Sequence, residues 1–150
     1  MVIREYSSMD EAEKRRVREA IRESDWRAAA FLHDLLQKGE LRNRCGLNTR
    51  LLLGMEGETL AAFCTLADRD EVDSPLTPWI GFVYTFPQFR GERRSGTLID
   101  RACALAREDG FTRVYVSTNE GGLYEKYGFT FLRHDRDRWG GQTRLYVRKT

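Results

Sequence analysis

Histidine, cysteine and proline are all scarce: the 150 residues include two histidines, three cysteines and three prolines. His33 and His134 lie far apart and have no paired cysteines nearby, so the spacing of a metal centre is missing and no metal is expected. An odd set of cysteines, Cys45, Cys64 and Cys103, excludes a fully paired disulfide framework and reads as free thiols in a reducing compartment. No apolar run is long enough to span a bilayer, so no membrane partner is expected. The opening Met-Val-Ile-Arg-Glu-Tyr does not have the form of a signal peptide, which leaves a cytoplasmic location as the default expectation. Two familiar nucleotide loops are also missing, since neither Gly-x-x-x-x-Gly-Lys-Ser/Thr nor Gly-x-Gly-x-x-Gly occurs.

Excess charge of one sign is lacking too. Twenty-five basic residues face 23 acidic ones, for a net charge of +2. The segment 131–150 is more basic, with six Arg/Lys against two Asp. Its interleaved acids and strand-like alternation favour a solvated edge over a nucleic-acid surface. What the chain does have is the composition of a globular protein, 41% hydrophobic and 32% charged, in a length suited to one domain over residues 1–150.

The periodicities predict the order β-α-α-β-β-β-α-β-α-β-β. A short strand at Val2–Tyr6 precedes a helix capped by Ser8 or Asp10 and running to about Ser24. A second helix is expected from an N-cap at Asp25, with Gly39 ending it. Strands at 50–55 and 60–67 flank a Glu-Gly turn. After the acidic loop 68–74 come a strand over 79–86, a helix from Arg94 to Asp109 stopped by Gly110, and a strand at 111–117. A short helix over 121–127 and strands at 130–133 and 143–148 complete the series. The fold class is α+β (mixed α/β), with a mixed central sheet of six to seven strands and about four helices. Strand–helix–strand at 79–117 implies a right-handed parallel crossover.

Residues 79–96, Trp-Ile-Gly-Phe-Val-Tyr-Thr-Phe-Pro-Gln-Phe-Arg-Gly-Glu-Arg-Arg-Ser-Gly, carry the first chemical signal. A strand ends at Pro87, turns through Arg90-Gly91 and enters a helix near Arg94. A helix N-terminus offers free N–H groups and partial positive charge to an anion. Arg90, Arg93 and Arg94 add guanidinium groups suited to phosphate oxygens. The bland alternative is a solvated basic turn. The second signal is the block 119–129, Asn-Glu-Gly-Gly-Leu-Tyr-Glu-Lys-Tyr-Gly-Phe. It follows a strand and presents Tyr124 near the carboxyl end of the sheet, where open sheets with parallel crossovers favour ligands.

Together, Val83-Tyr-Thr-Phe-Pro-Gln-Phe-Arg-Gly and Leu123-Tyr-Glu-Lys-Tyr-Gly-Phe resemble the GNAT N-acetyltransferase superfamily, and the element order fits over essentially the whole chain. The resemblance implies a splayed parallel strand pair with the pantetheine arm of acetyl-CoA inserted along Val83, Tyr84 and Thr85. It implies pyrophosphate on the turn made by Arg90, Gly91, Glu92, Arg93, Arg94, Ser95 and Gly96. Asn119 would contact the cofactor arm, and Tyr124 would protonate the departing thiolate. The acceptor would be an amine of a small molecule or a protein, and the enzyme a monomer or homodimer. The family's usual turn is Gln/Arg-x-x-Gly-x-Gly/Ala. Here Arg93 replaces the first glycine and is expected to take ordinary helical angles, while Ser95 replaces the second small residue.

The base that would deprotonate the amine is not apparent. Many members carry a glutamate on the strand that here reads Trp79–Phe86, which has no carboxylate. Asp68, Asp70, Glu71, Asp73 and Glu120 are candidates, directly or through water, and each otherwise reads as a solvated charge. The acidic loop could also draw in a cationic amine. The competing functions are a non-catalytic acyl-CoA-binding or regulatory domain and a basic RNA- or ribosome-associated module. Cys64 and Cys103 read as core residues, Cys45 as a loop thiol open to reaction, His33 as a helix-rim residue and His134 as a loop residue. Trp139 reads as a pocket wall or a cover for the sheet.

Overall fold

The computed structural model describes residues 1–150. Seven strands form one sheet: β1 (Val2–Glu5), β2 (Arg50–Glu56), β3 (Thr59–Ala67), β4 (Trp79–Thr85), β5 (Arg113–Thr118), β6 (Thr130–Arg136) and β7 (Gln142–Lys149). Their spatial order is β1-β2-β3-β4-β5-β7-β6. Only β4 and β5 run parallel; the other neighbours are antiparallel. Four helices accompany the sheet: α1 (Glu11–Glu23), α2 (Arg27–Gln37), α3 (Leu41–Cys45) and α4 (Arg94–Glu108). The mixed architecture matches the sequence expectation.

Strand alternation sends successive side chains to opposite faces, and each face has its own core. Leu98, Ile99, Ala102 and Ala106 of α4 pack on Leu52, Ala62, Cys64 and Ile80. On the other face Val17 and Ile21 of α1 and Ala29 and Leu32 of α2 cover Leu51, Leu53 and Phe63. Burying each Leu- or Phe-sized side chain contributes ~1.5–3 kcal/mol. The start of α1 is fixed by a reciprocal capping box. The Glu13 N–H donates to Asp10 Oδ1 at 2.8 Å and the Asp10 N–H to Glu13 Oε1 at 3.1 Å. Glu13 also pairs with Arg4, which ties the helix to β1.

Some elements differ from the periodicity. Trp26, not Asp25, occupies the N-cap of α2. Its ring stacks on Tyr84 of β4, with centroids 5.1 Å apart and planes 8° apart, so tertiary packing rather than a polar cap sets where the helix begins. Helix α3 was not expected; Leu-Arg-Asn-Arg-Cys is too short and polar to show a periodic stripe. Cys45 is its last residue and is buried. The 121–127 segment is helical only as a 3-10 turn over Tyr124–Tyr127. Strand β6 extends through Arg136, so His134 lies in a strand. It is the outermost strand and mostly exposed, which is why its charged residues hid it.

Candidate active site

Strands β4 and β5 share one registered pair, Trp79 with Tyr115, and then separate. On the other side of β4, Ala62 faces Thr85 and Phe63 faces Tyr84, but Thr65 faces Gly81. Phe82 and Val83 thus oppose the single residue Cys64. Phe82 takes the left-handed region at φ 48°, where a bulky side chain is strained. This extra residue bends β4 away from β5 and leaves its far edge without a strand partner.

Beyond β4 a 3-10 turn at Pro87–Phe89 leads into α4. The Thr97 N–H closes the first helical bond on the Arg93 carbonyl at 3.0 Å, so the N–H groups at the start of α4 remain open to an anion. Arg93 does not take ordinary helical angles. It sits at φ 54°, ψ 34° as the N-cap, a left-handed conformation that glycine would adopt freely. Its side chain turns back over the Tyr127 ring, 5.5 Å from the centroid. Arg94 is committed elsewhere, to Glu56 and Glu92 at 3.1 Å each and to the Phe89 carbonyl at 2.7 Å. Arg90 donates to the Thr85 carbonyl at 3.0 Å and lies over Tyr84. The backbone N–H groups, more than a fork of three arginines, are what the turn leaves free.

A cleft of about 590 Å³ runs from this turn through the β4–β5 opening. Its walls include Val83, Tyr84, Thr85, Arg90, Gly91, Arg93, Arg94, Ser95 and Tyr124, all singled out in the sequence. Ser95 and Thr85 join their hydroxyls at 2.6 Å. Glu92, Gly96 and Asn119 stand off the wall: Glu92 pairs with Arg94, Gly96 is buried against Tyr127 and Asn119 is exposed beyond β5. Ser117, Thr118, Leu123 and Tyr127 also line the cleft without having been picked out; their position at the end of β5 or just past it was the available signal. Tyr124 is 7% exposed, packed edge-on against Phe129. Burial is the main cause that raises its phenol above the ordinary value, with smaller contributions from Cys64, Glu120, Asp70 and Tyr127.

A model described as the acetyltransferase (GNAT) family matches residues 11–129. The chain belongs to the GNAT acetyltransferase family. Its backbone is similar to a GNAT-family structure from Desulfovibrio desulfuricans (TM-score 0.73, 12% identity, 99% of this chain and 98% of that one). It is also similar to an acetyltransferase from Streptococcus agalactiae (TM-score 0.66, 22% identity, 99% and 98%). A third is a GNAT acetyltransferase from Elizabethkingia anophelis with acetyl-CoA bound (TM-score 0.59, 15% identity, 74% and 82%). At such identities these likenesses establish the fold. No curated protein matches in sequence. No helix of this GNAT chain is long and apolar enough to cross a membrane.

On the α1/α2 face of the opening, the loop after β3 meets the tip of the β6–β7 hairpin. Val72 bridges to Asp137, and the Arg138 N–H donates to the Glu71 carbonyl at 2.8 Å. Phe31, Phe82 and Trp139 gather there under Arg44. Trp139 is 70% exposed, so it rims this face and does not cover the sheet. Asp70 is half-buried. Burial, outweighing an N–H bond from Glu71 and the charge of Arg138, raises its carboxyl from 3.8 to about 7. The cysteines are inert by comparison: burial pushes Cys45 up to about 11 and Cys64 to about 12. The thiol expected to be open to reaction in a loop is therefore a buried helix residue.

Proposed function

We propose that this GNAT protein transfers an acetyl group from acetyl-CoA to a primary amine, of a small molecule or a protein, by direct attack in a ternary complex. The carrying observation is the continuous cleft from the open N–H groups of α4, along the unpaired edge of β4, to Tyr124. The residues fit a ligand that is anionic at one end and a hydrogen-bonding chain at the other. The turn from Arg90 to Gly96 would hold the pyrophosphate, Glu92 and Gly96 through their backbone. Val83, Tyr84 and Thr85 would present backbone groups to the pantetheine amides, with Asn119 near the arm at the mouth. The bound thioester supplies the activated acyl carbon.

An ammonium is no nucleophile, so the acceptor must lose a proton before it attacks. Free N–H groups of β4 near the bulge would stabilise the oxyanion of the tetrahedral intermediate. Tyr124 would protonate the departing thiolate. Its raised pKa keeps the phenol protonated at neutral pH, ready to donate. Direct attack on a thioester needs no metal.

The test combines titration calorimetry with acetyl-CoA and thiol release across a panel of amines, with Tyr124→Phe as control. Tight binding, turnover and about a hundredfold loss in kcat for the variant are expected. Absence of acetyl-CoA binding at millimolar concentration would refute the assignment. Binding without turnover on any amine would point instead to a non-catalytic acyl-CoA-binding domain.

A further inference from the structure

We propose that Asp70 is the catalytic base, taking the proton of the acceptor ammonium on the α1/α2 side of the β4–β5 opening; this rests on the acyl-transfer reading above. Among the five carboxylates around the opening, Asp70 alone reaches β4 without a side-chain partner. Glu71 is held by the Arg44 guanidinium at 2.8 and 2.5 Å. Asp68 accepts the backbone N–H and side-chain amide of Asn48 at 3.0 and 3.2 Å. Asp73 is exposed in the loop, and Glu120 is exposed past the end of β5 beside Tyr124. Asp70 lies against the strand itself: a Cβ built on Gly81 would stand 3.0 Å from Asp70 Oδ1 and 3.2 Å from Thr65 Oγ1. Any side chain at position 81 would press on the carboxylate, and Gly81 lines the cleft.

The faces are as important as the distances. Cys64 and Leu66 point to the α4 side with Tyr124; Thr65 between them points to the other. Asp70 and Tyr124 therefore approach the opening from opposite faces of the sheet. Transfer needs that arrangement, one proton leaving the amine on one side and one reaching sulfur on the other. The Asp70 carboxylate accepts a proton from the ammonium. The amine lone pair forms the C–N bond at the thioester carbon, and the C–S bond breaks with its electrons on sulfur. Tyr124 protonates that thiolate, and the second proton leaving nitrogen restores the phenol. Asp70 then releases its proton to solvent, so one proton leaves per turnover.

The charged and titratable groups facing Asp70 are Glu71 in its own loop, Arg138 from the hairpin tip, Cys45 from α3 and Tyr124 through the opening. Arg44 is neutralised by Glu71, and Thr65 and Gly81 bring no charge. With its pKa raised to about 7, the carboxylate is a stronger base than a solvated one and is still ionised enough to act at neutral pH.

The experiment measures thiol release from acetyl-CoA for wild type, Asp70→Asn and Asp70→Glu as a function of pH. The acceptors are 2-phenylethylamine, putrescine, an alanine-initiated peptide and methoxyamine, the last unprotonated at neutral pH. Carboxyl 13C NMR follows the Asp70 titration in the free wild-type protein. Expected are a loss of at least about a hundredfold in kcat/KM for the ammonium acceptors in Asp70→Asn, partial recovery in Asp70→Glu, and an unchanged acetyl-CoA Kd. The variant should also lose the pH limb near 7, keep its rate with methoxyamine, and lack the NMR titration near 7 seen in wild type. An unchanged pH profile and rate, an equal loss with methoxyamine, or a titration in the ordinary carboxylate range each overturns the proposal. Wild type that binds no acetyl-CoA overturns acyl transfer itself, a separate failure.

Discussion

Replacing Asp70 by Asn should make the protein more stable at neutral and alkaline pH while disabling it. A carboxyl whose folded pKa stands above its unfolded value stabilises the fold only while protonated. That contribution is complete below the unfolded value of 3.8 and is lost as pH rises through about 7. The gap is about 3 units, and each unit corresponds to ~1.4 kcal/mol, so the upper bound is ~4 kcal/mol. Because Asp70 is only half-buried, a discounted figure of roughly 2–4 kcal/mol is the working expectation. An uncharged amide of the same shape keeps the acceptor for the Glu71 N–H and never ionises. Urea unfolding at several pH values should show the variant ahead by that amount at pH ~8, equivalent to roughly 5–15 °C in Tm. The lead should shrink to nothing by pH ~4, where both side chains are neutral. A variant less stable than wild type at pH ~8 would refute the reasoning, and so would a lead that ignores pH. The first outcome would make Asp70 a structural anchor.

Other expectations concern the turn and the thiols. Gly96→Ala should not yield the ~1 kcal/mol that Ala normally gains over Gly in a helix, because the new Cβ would lie 2.9 Å from Tyr127 Cε1. Urea denaturation should show no gain or a loss, and calorimetry should show weaker acetyl-CoA binding as the displaced ring narrows the cleft. Arg93→Gly should change stability by less than ~1 kcal/mol, since relief of the left-handed angle offsets the backbone entropy of glycine. Arg93→Val should cost ~1–2 kcal/mol more, because a β-branched residue fits that region worst; equal melting curves for the two would count against the angle. Folded protein should react slowly with thiol reagents and release three titratable thiols only on unfolding, which leaves thiol-release assays uncontaminated. Rapid labelling of Cys45 in the folded state would contradict its burial.

The periodic segments were legible because burial of one face writes itself into the sequence. The α4 stripe of Leu98, Ala102, Leu105 and Ala106 appears as expected, and α1 starts at Asp10, one of the two caps the sequence offered. Of the candidate site, the placing of the turn and Tyr124 on one cleft was legible because their residue types follow local backbone needs: open N–H groups, and a short helix after a strand. The start of α2 was not, since the Trp26–Tyr84 stack that fixes it joins residues 58 positions apart. Helix α3 and the outer half of β6 escaped because neither buries a regular apolar stripe. Gly81 did leave a trace, as a glycine inside a strand, where close approach by another group is one standard reason. Which group approached could not be read from the strand alone.

By itself the sequence determined the class of sheet, the crossover and the motifs that mark a GNAT chain, because each depends on neighbours within a few residues or on a repeating pattern. Tertiary structure decided which charges are free. Asp68, Asp70, Glu71 and Asp73 look alike along the chain. In space Asn48 takes the first, Arg44 the third and solvent the last. Asp70 is left against Gly81 with its carboxyl raised to about 7. Charge state depends on burial and on partners brought from 20 or more positions away, and those are properties of the folded arrangement.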